Sequence, residues 1–466
     1  MPLVLRKRLR CRLASAQRNV VEEMVGVFKH AVRVAVGVVL AAIVAAGCGG
    51  SSSNGSSNAG KGAGAVPEPK SPVEITFASW VGKEPGMKDL YKKFQAEHPN
   101  IKVKFVNIPA EGASQKLTTQ IAGGNPPDAA YLDAGTTADF ASRGALVNLD
   151  NYIERTPEQK PDDYVKAFKG SAEYEGSMYA LPFDGESTGL FYRTDMFKAA
   201  GISEPPKTWD EFEADAAKLT NPAKKQYGFA LFAPSPESAY YWYPWLWQAG
   251  GTLLSDDEKT VEFNSEAGKK AADFYVGLNK YSPKDYLNSN SYDGRVAFAN
   301  GSVGMYVAGA WLAGVLKDEF PKIEGKWATA PLPEGEAGCK TTIAGDNLVM
   351  FSQSDKKDAA WIWLDFLTRP EGMKRWTIDD PNSTIMPTRT SLLESPELVE
   401  NKPVLKGFIK AMDCGVTSLI NNPKWPRVEE MLSEQLGKAM YGEQTGAEAV
   451  DAAAEKAAPL LARGAG

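Results

Sequence analysis

A strand–helix–strand pattern near the start of the folded region most constrains this 466-residue chain. Apolar and polar residues alternate from Val73 to Phe77 and again from Ile101 to Phe105. Between them, apolar residues recur at helical spacing from Met87 to Phe94. A connection of this length joins parallel strands through a crossover helix. The pattern therefore predicts an open α/β sheet that binds ligands at the carboxyl ends of its strands.

Two side chains follow strands at this predicted edge. Trp80 comes directly after the first strand, and a third short strand, Ala129 to Leu132, is followed by Asp133. Because the carboxyl ends of parallel strands meet at one edge of a sheet, we expect Trp80 and Asp133 to face any cleft there.

The middle and C-terminal thirds alternate amphipathic helices with short strands. Thr208 is a predicted helix N-cap, with Glu211 completing a capping box. The predicted helices are Trp209 to Leu219, Ala267 to Leu278, Ala359 to Leu367 and Val428 to Met440, and the predicted strands are Gly189 to Tyr192, Val303 to Val307 and Asn347 to Phe351.

The N-terminal segment is organised as an export signal rather than a fold. An apolar run, Val34 to Gly47, follows a basic zone and is shorter than the roughly 20 residues needed to span a bilayer. Its last residues and Cys48 resemble the lipobox of bacterial lipoproteins, which implies cleavage of residues 1–47 and a lipid on Cys48. An ordinary secretory signal with an incidental Cys48 is the alternative. We predict that translation begins at Met24.

Composition restricts the mature chain further. The Gly/Ser-rich tract after Cys48 predicts a flexible linker over residues 48–72. Cleavage leaves 419 residues, enough for two or three domains, with 44 basic and 56 acidic side chains and a net charge of −12. This charge disfavours nucleic-acid binding.

The residue types needed for common catalytic or metal chemistry are scarce. His98 is the single histidine after residue 47, and Gly335 to Thr341 lacks the spacing of a phosphate loop. We therefore predict no metal and no cofactor. Cys339 and Cys414 remain in the folded part, and either one disulfide or two separate buried thiols would account for them.

An aromatic cluster is the most prominent candidate for small-molecule binding. Six of the eight residues from Tyr240 to Trp247 are aromatic. Flat aromatic faces suit the C–H faces of sugar rings, while carboxylates and amides pair with hydroxyls. Packing in the core is the alternative role for each of these rings.

Three runs of sequence stand out as motifs: Tyr179–Phe183 (YALPF), Gly189–Phe197 (GLFYRTDMF) and Pro205–Phe212 (PPKTWDEF). Together they resemble the signature of extracellular solute-binding proteins of ABC importers, in the maltose/trehalose-type group. The resemblance implies an α/β, two-lobed periplasmic-binding-protein fold of class II type, with a ligand cleft between the lobes. It places lobe 1 at residues 73–183 plus 332–380 and lobe 2 at residues 184–331 plus 381–466.

The resemblance also implies partners and a set of ligand contacts. We expect a monomer that is anchored outside the cytoplasm and delivers a disaccharide or oligosaccharide to a permease driven by an ATPase. The ligand contacts carried over from the family are Trp80, Asp133, Asp184, Glu186, Trp242, Trp245, Trp311, Gly345, Asp346, Asn347 and Arg389.

Three alternatives remain open from the sequence. The same fold could bind a glycerophosphodiester or phosphorylated polyol, with Arg389 as the phosphate partner and the aromatics caging a choline group. Asp184 or Glu186 could act with Asp346 as the acid and base of a lipid-anchored glycosidase. The chain could also be a structural surface lipoprotein without a small ligand.

Overall fold

The computed structural model describes residues 65–110, 112–235, 238–288, 292–418, 420 and 422–462. Cys48, Met24 and the predicted signal lie outside these ranges, as does most of the predicted linker. The strands are β1 (Val73–Ser79), β2 (Ile101–Asn107), β3 (Ala129–Asp133), β4 (Glu173–Tyr174), β5 (Ser177–Met178), β6 (Ala180–Arg193), β7 (Tyr227–Phe229), β8 (Val303–Gly309), β9 (Trp327–Ala330), β10 (Thr341–Met350), β11 (Met386–Pro387) and β12 (Gly415–Thr417).

The α-helices are α1 (Pro85–Glu97), α2 (Ala113–Ala122), α3 (Thr137–Ser142), α4 (Asp150–Glu154), α5 (Lys166–Ala172), α6 (Thr194–Ala199), α7 (Trp209–Leu219), α8 (Tyr243–Gln248), α9 (Glu266–Gly277), α10 (Gly294–Ala299), α11 (Trp311–Glu319), α12 (Lys357–Thr368), α13 (Pro370–Lys374), α14 (Thr390–Leu393), α15 (Pro396–Asn401), α16 (Leu405–Ala411), α17 (Trp425–Met440) and α18 (Gly446–Ala462). Among the described helices, none combines the length and apolar character needed to cross a bilayer.

The predicted strand–helix–strand unit is confirmed. β1 runs parallel to β2, from Val73 opposite Ile101 to Ser79 opposite Asn107, and α1 connects them. β3 pairs parallel on the other side of β1. Met87, Leu90 and Phe94 of α1 are buried against this sheet, which is the burial that their helical spacing predicts. The carboxyl ends of β1 and β3 therefore lie at one edge.

The main sheet continues through two long antiparallel strands. Its order is β2-β1-β3-β10-β6-β8-β7. The first half of β6 pairs with β10, whereas its second half pairs with β8 and β9. The predicted strands Gly189 to Tyr192 and Asn347 to Phe351 are too short: β6 extends over 14 residues and β10 begins at Thr341. Both strands are buried on both faces for most of their length, so alternation does not mark their ends.

Two large hydrophobic cores lie on either side of these long strands. The first gathers β1, β2, β3 and α1 around α12, whose Trp363 makes edge contacts with Phe77 and Phe94. The second packs α7, α8 and α9 against α17 and α18, and a smaller cluster surrounds β8 and α11. The chain thus forms the two α/β lobes that the sequence predicts, while the residue boundaries of the lobes remain a prediction.

Helix α7 shows how local sequence sets these elements. The Thr208 hydroxyl accepts a hydrogen bond from the Glu211 N–H at 3.2 Å, which caps the helix as predicted. The Glu211 carboxylate accepts from the Lys207 N–H at 2.7 Å instead of from Thr208, one residue earlier than in a standard capping box. Trp209 and Phe212 then face the second core.

Candidate functional site: a carboxylate and tryptophan cleft

Three aspartates lie side by side across the centre of the sheet. Asp346 of β10 is paired with Asp133 of β3 on one side and with Asp184 of β6 on the other. Side chains of directly opposed residues in antiparallel strands project from the same face. We call Asp133, Asp346 and Asp184 the aspartate row. Like charges in such a row repel, so its presence where the two lobes join suggests a role other than stability.

Tyr131 joins two members of the aspartate row. Its hydroxyl lies 2.8 Å from Asp346 Oδ2 and 2.5 Å from Asp184 Oδ2, and its ring is buried. Trp80 packs edge-on against Tyr131, with the ring centroids 4.5 Å apart. Sequence reasoning missed Tyr131. The signal was its position two residues before Asp133, because strand residues i and i+2 share a face.

Glu186 and Trp311 meet at a glycine. A Cβ atom on Gly309 would overlap both the Glu186 carboxylate and the Trp311 indole, so these two side chains approach each other over its backbone. Glu186 Oε1 accepts a hydrogen bond from the Tyr240 hydroxyl at 2.9 Å. Trp80 and Trp311 are both partly exposed. The structure therefore brings together Trp80, Trp311, Glu186 and the aspartate row.

The site is strongly acidic. Burial raises the pKa of Asp133 to about 6, that of Asp184 to about 6 and that of Glu186 to about 7. Burial, together with the Asp184 and Asp133 carboxylates, raises the pKa of Asp346 well above its usual range. Asp133 keeps solvent-accessible surface although protein atoms surround it, as expected in a concave site.

Glu84, just before α1, is a further acidic residue that sequence reasoning missed. Burial, followed by the Asp184, Asp380 and Asp318 carboxylates, raises its pKa to about 7. Within the described ranges, Glu84, Glu186 and the aspartate row form no ion pair with a lysine or arginine. The described residues also contain no cluster of His, Cys, Asp and Glu arranged to hold a metal ion.

The prediction that Trp242 and Trp245 contact ligand is wrong. Their exposed fractions are 0% and 1%, and both belong to the second core. Trp245 packs against Trp209 and Phe212. Helix α8 is buried along its whole length, so its aromatic side chains have no face left for a ligand. Of the aromatic cluster, Tyr240 is the member that reaches the site, through Glu186.

The prediction that Arg389 contacts ligand is also wrong. Arg389 is fully buried and its guanidinium lies 4.3 Å from the centre of the Tyr164 ring. Nε donates to the Thr368 carbonyl at 2.8 Å, and Nη2 donates to the Gln159 carbonyl at 2.7 Å. Nη1 donates to the Lys160 carbonyl at 3.2 Å. These bonds use all three nitrogens to hold chain segments together, which leaves the guanidinium no approach to a phosphate.

The three residues of the Gly345–Asn347 segment have different roles. Asp346 lies in the aspartate row and contacts the Tyr131 hydroxyl, and its contact with a ligand stays a prediction. Asn347 does not face the site: its exposed fraction is 1%, and its side-chain amide donates to Thr137 Oγ1 at 3.0 Å inside the first lobe. Gly345 lies opposite Gly185, and a Cβ there would overlap the Asp184 carbonyl. Gly345 thus lets β10 and β6 approach closely behind the aspartate row.

Cys339 and Cys414 are joined by a disulfide in the structure, with their Cα atoms 5.8 Å apart. The bond lies next to the parallel pairing of β10 and β12, where Thr341 is opposite Gly415. It therefore ties the segment after α16 to the start of β10, on the side of the site that carries Glu186.

Comparison with known proteins shows which family this chain and its fold resemble. A family model for bacterial extracellular solute-binding proteins matches residues 78–374. A binding protein of Brucella abortus is 27% identical over 401 residues, covering 84% of this chain and 93% of that protein. A lipoprotein of Streptomyces antibioticus is 28% identical over 342 residues, covering 70% of this chain and 73% of that protein.

Solved structures agree with the sequence comparison. An ABC transporter solute-binding protein of Thermotoga lettingae bound to α-D-tagatose superposes with a TM-score of 0.76 at 26% identity, covering 84% of this chain and 100% of that one. The GacH receptor of Streptomyces glaucescens, solved unliganded and with acarbose, gives 0.74 at 28% identity, covering 84% and 98%. The match over most of the chain confirms the predicted fold and resemblance. The chain belongs to the bacterial extracellular solute-binding protein family.

Proposed function

We propose that this protein captures a neutral sugar or polyol outside the cytoplasm and delivers it to an ABC importer. The observation that carries the proposal is the pairing of partly exposed Trp80 and Trp311 with Glu186 and the aspartate row. Indole faces cover the C–H surfaces of a sugar ring, and carboxylates accept hydrogen bonds from its hydroxyls. The solved relatives hold tagatose and acarbose, both rich in hydroxyls, which supports this ligand class.

The strands between the lobes support capture by closure. β6 contributes to both halves of the sheet, and Asp184 and Glu186 lie where it passes from one to the other. Trp80 comes from the first lobe, whereas Trp311 begins α11 next to β8. A ligand held between these indoles would contact both lobes and favour a closed state, which is how such a protein would signal occupancy to its permease.

The electrostatics favour an uncharged ligand over a phosphorylated one. A phosphate would face five carboxylates, and Arg389, its proposed partner, is saturated by protein carbonyls. The glycerophosphodiester alternative thus loses the cation on which it depended. The family is one of binding proteins, so we assign the carboxylates to hydroxyl recognition and not to glycoside hydrolysis.

We further propose that the mature protein is a monomer held at the outer face of the cell membrane by a lipid on Cys48. The lipobox-like residues before Cys48 and the lipoprotein relative support this anchor. The Gly/Ser-rich tract after Cys48 would act as a tether within reach of the permease. Replacing Cys48 by Ala should leave ligand binding intact and lower uptake by cells; unchanged uptake with wholly released protein would contradict the tether.

Isothermal titration of the mature protein with maltose, trehalose, mannitol and glycerophosphocholine tests the proposed ligand class. We expect saturable binding of at least one of the three uncharged compounds and the weakest binding for glycerophosphocholine. Tight binding of glycerophosphocholine alone would overturn the proposal. Absence of binding across a wider panel of sugars and polyols would favour a lipoprotein without a small ligand.

A further inference from the structure

The bridge from Asp184 through Tyr131 to Asp346 contains too few protons if both aspartates are ionised. A phenol has one O–H, so Tyr131 can donate to one carboxylate only. The structure nevertheless places its oxygen at hydrogen-bond distance from both, 2.5 Å from Asp184 and 2.8 Å from Asp346. With two carboxylates, one of these contacts would set lone pairs against lone pairs in a buried site, which is costly.

One added proton resolves the bridge. If Asp346 is a carboxylic acid, its O–H donates to the Tyr131 oxygen, and the Tyr131 O–H donates to an ionised Asp184. Both observed contacts are then hydrogen bonds. We propose that the cleft holds this proton, with Tyr131 as the positioning residue that sets which way it points. The inference rests on the proposed function only for what the proton does to a ligand.

The surroundings of the bridge favour the protonated form. The titratable groups that face it are Asp133 on β3, Glu186 on β6 and Glu84 before α1, all acidic, and the Trp376 indole packs beside Asp184. No ion pair within the described ranges neutralises these carboxylates. Each additional negative charge makes it harder for Asp184 and Asp346 to ionise together.

The proton changes what the cleft can recognise. The O–H of Asp346 is used by Tyr131, so the proton acts on a ligand by removing one negative charge from the cleft while the other carboxylate oxygens remain acceptors. A sugar is uncharged and presents hydroxyl donors, so a site with Asp346 protonated and with Asp133 and Glu186 as acceptors matches it better than five carboxylates would. The class of ligand that fits is an uncharged compound with several hydroxyl groups.

Infrared spectroscopy of protein labelled with ¹³C at the aspartate carboxyls detects this proton without any ligand. Near pH 7 we expect a protonated-carboxyl C=O band in the wild type. The band should disappear in Asp346→Asn, whose amide can still donate to Tyr131. In Tyr131→Phe it should shift in frequency, because the acid loses its hydrogen-bond partner. Asp133→Asn is the matched control in the same row and should retain the band.

A second measurement covers the case in which a variant is poorly folded. Denaturant unfolding followed from about pH 5 to 8 should show the wild-type folding constant falling more steeply with pH than that of Asp346→Asn. The ratio of the wild-type folding constant to that of Asp346→Asn should fall by up to about tenfold per pH unit, since the two proteins differ by one bound proton. No band in the wild type, or a band that survives in Asp346→Asn, would overturn the proposal. Sugar titration of the same samples reports separately on the proposed function.

Discussion

Two pairs of tryptophans in this protein have the same side chain but lie in different environments. Trp80 and Trp311 follow strands, at a point where the chain leaves the sheet, and both keep part of their indole exposed beside carboxylates. Trp242 is the N-cap residue of the six-residue helix α8, and Trp245 lies within it. Other aromatic side chains enclose both. The dense aromatic run in the sequence forms part of a core, whereas the two single tryptophans at strand ends stay partly exposed.

Charged residues show the same contrast. Arg389 is fully buried and makes hydrogen bonds to carbonyls of three residues, so its charge stabilises the fold. Two members of the aspartate row share the Tyr131 hydroxyl, and no lysine or arginine among the described residues pairs with the row to relieve its mutual repulsion. A saturated charge is structural, and an unsaturated group of charges at the junction of two lobes is available for a ligand.

The largest effect is expected from the core tryptophan. Trp245→Ala should lower the free energy of unfolding by about 3–5 kcal/mol, because it leaves a cavity among Trp209, Phe212 and Phe274. Denaturant unfolding measures this loss. Protein that remains folded should bind ligand with nearly wild-type affinity. A variant with unchanged stability that no longer binds ligand would instead support Trp245 as a ligand contact.

Arg389→Met comes next. Removing the guanidinium leaves the Thr368, Gln159 and Lys160 carbonyls without their hydrogen-bond donor. This loss should lower the free energy of unfolding by about 3 kcal/mol. Thermal or denaturant unfolding provides the measurement, with Arg375→Met, an arginine paired with Glu371 near the surface, as the matched control expected to lose less than about 1 kcal/mol. A stable variant that no longer binds ligand would contradict the structural role.

Trp311→Ala should act on the ligand and not on the fold. We expect the affinity for the best sugar of the panel to fall by about 2 kcal/mol, roughly 30-fold, through loss of the stacking surface. Unfolding free energy should change by less than about 1 kcal/mol, since the side chain is partly exposed. Titration of Trp311→Phe, which keeps an aromatic face, should give an intermediate affinity.

The smallest expected effect is a difference in the pH dependence of stability between a cleft carboxylate, Glu186, and a structural carboxylate, Asp128. Because burial raises the pKa of Glu186 to about 7, its stabilising contribution is complete below about pH 4.5 and is lost as the pH rises to 7. Glu186→Gln should therefore gain about 1 kcal/mol of stability near pH 8 relative to wild type.

Asp128 provides the control of opposite sign. Although burial opposes it, hydrogen bonds from Ser354 and Thr76 lower the pKa of this carboxyl, so its contribution is present at neutral pH and is lost as the pH falls through the folded-state pKa. Asp128→Asn should lose stability near neutral pH. Equal responses of both variants across the pH range would contradict the distinction between cleft and structural carboxylates.

Much of the fold could be predicted from local patterns. Alternation located β1 and β2, and helical spacing located α1 and α7, because each of these elements is buried mainly on one face. The long strands β6 and β10 were found only in part. They are buried on both faces, so their residues do not alternate and their ends carry no periodic signal.

The site was predictable where a residue's position along a strand decided its exposure. Asp133, Asp184 and Asp346 form a row because three strands pair in one register, and each was identified from its own sequence motif. Tyr131 was missed, and Tyr240 was identified only as part of the aromatic cluster, because their roles depend on partners 53 to 215 residues away in the chain. Arg389 and Trp245 were misassigned because sequence motifs do not report how fully a side chain is enclosed.

A crystal structure with the tightest-binding sugar of the panel tests the central claim most directly. We expect a sugar ring between Trp80 and Trp311, with its hydroxyls against Glu186 and the aspartate row and with both lobes in contact. A sugar seated elsewhere, with Trp80 and Trp311 free and contacts made instead through the region of Trp245 or Arg389, would contradict it.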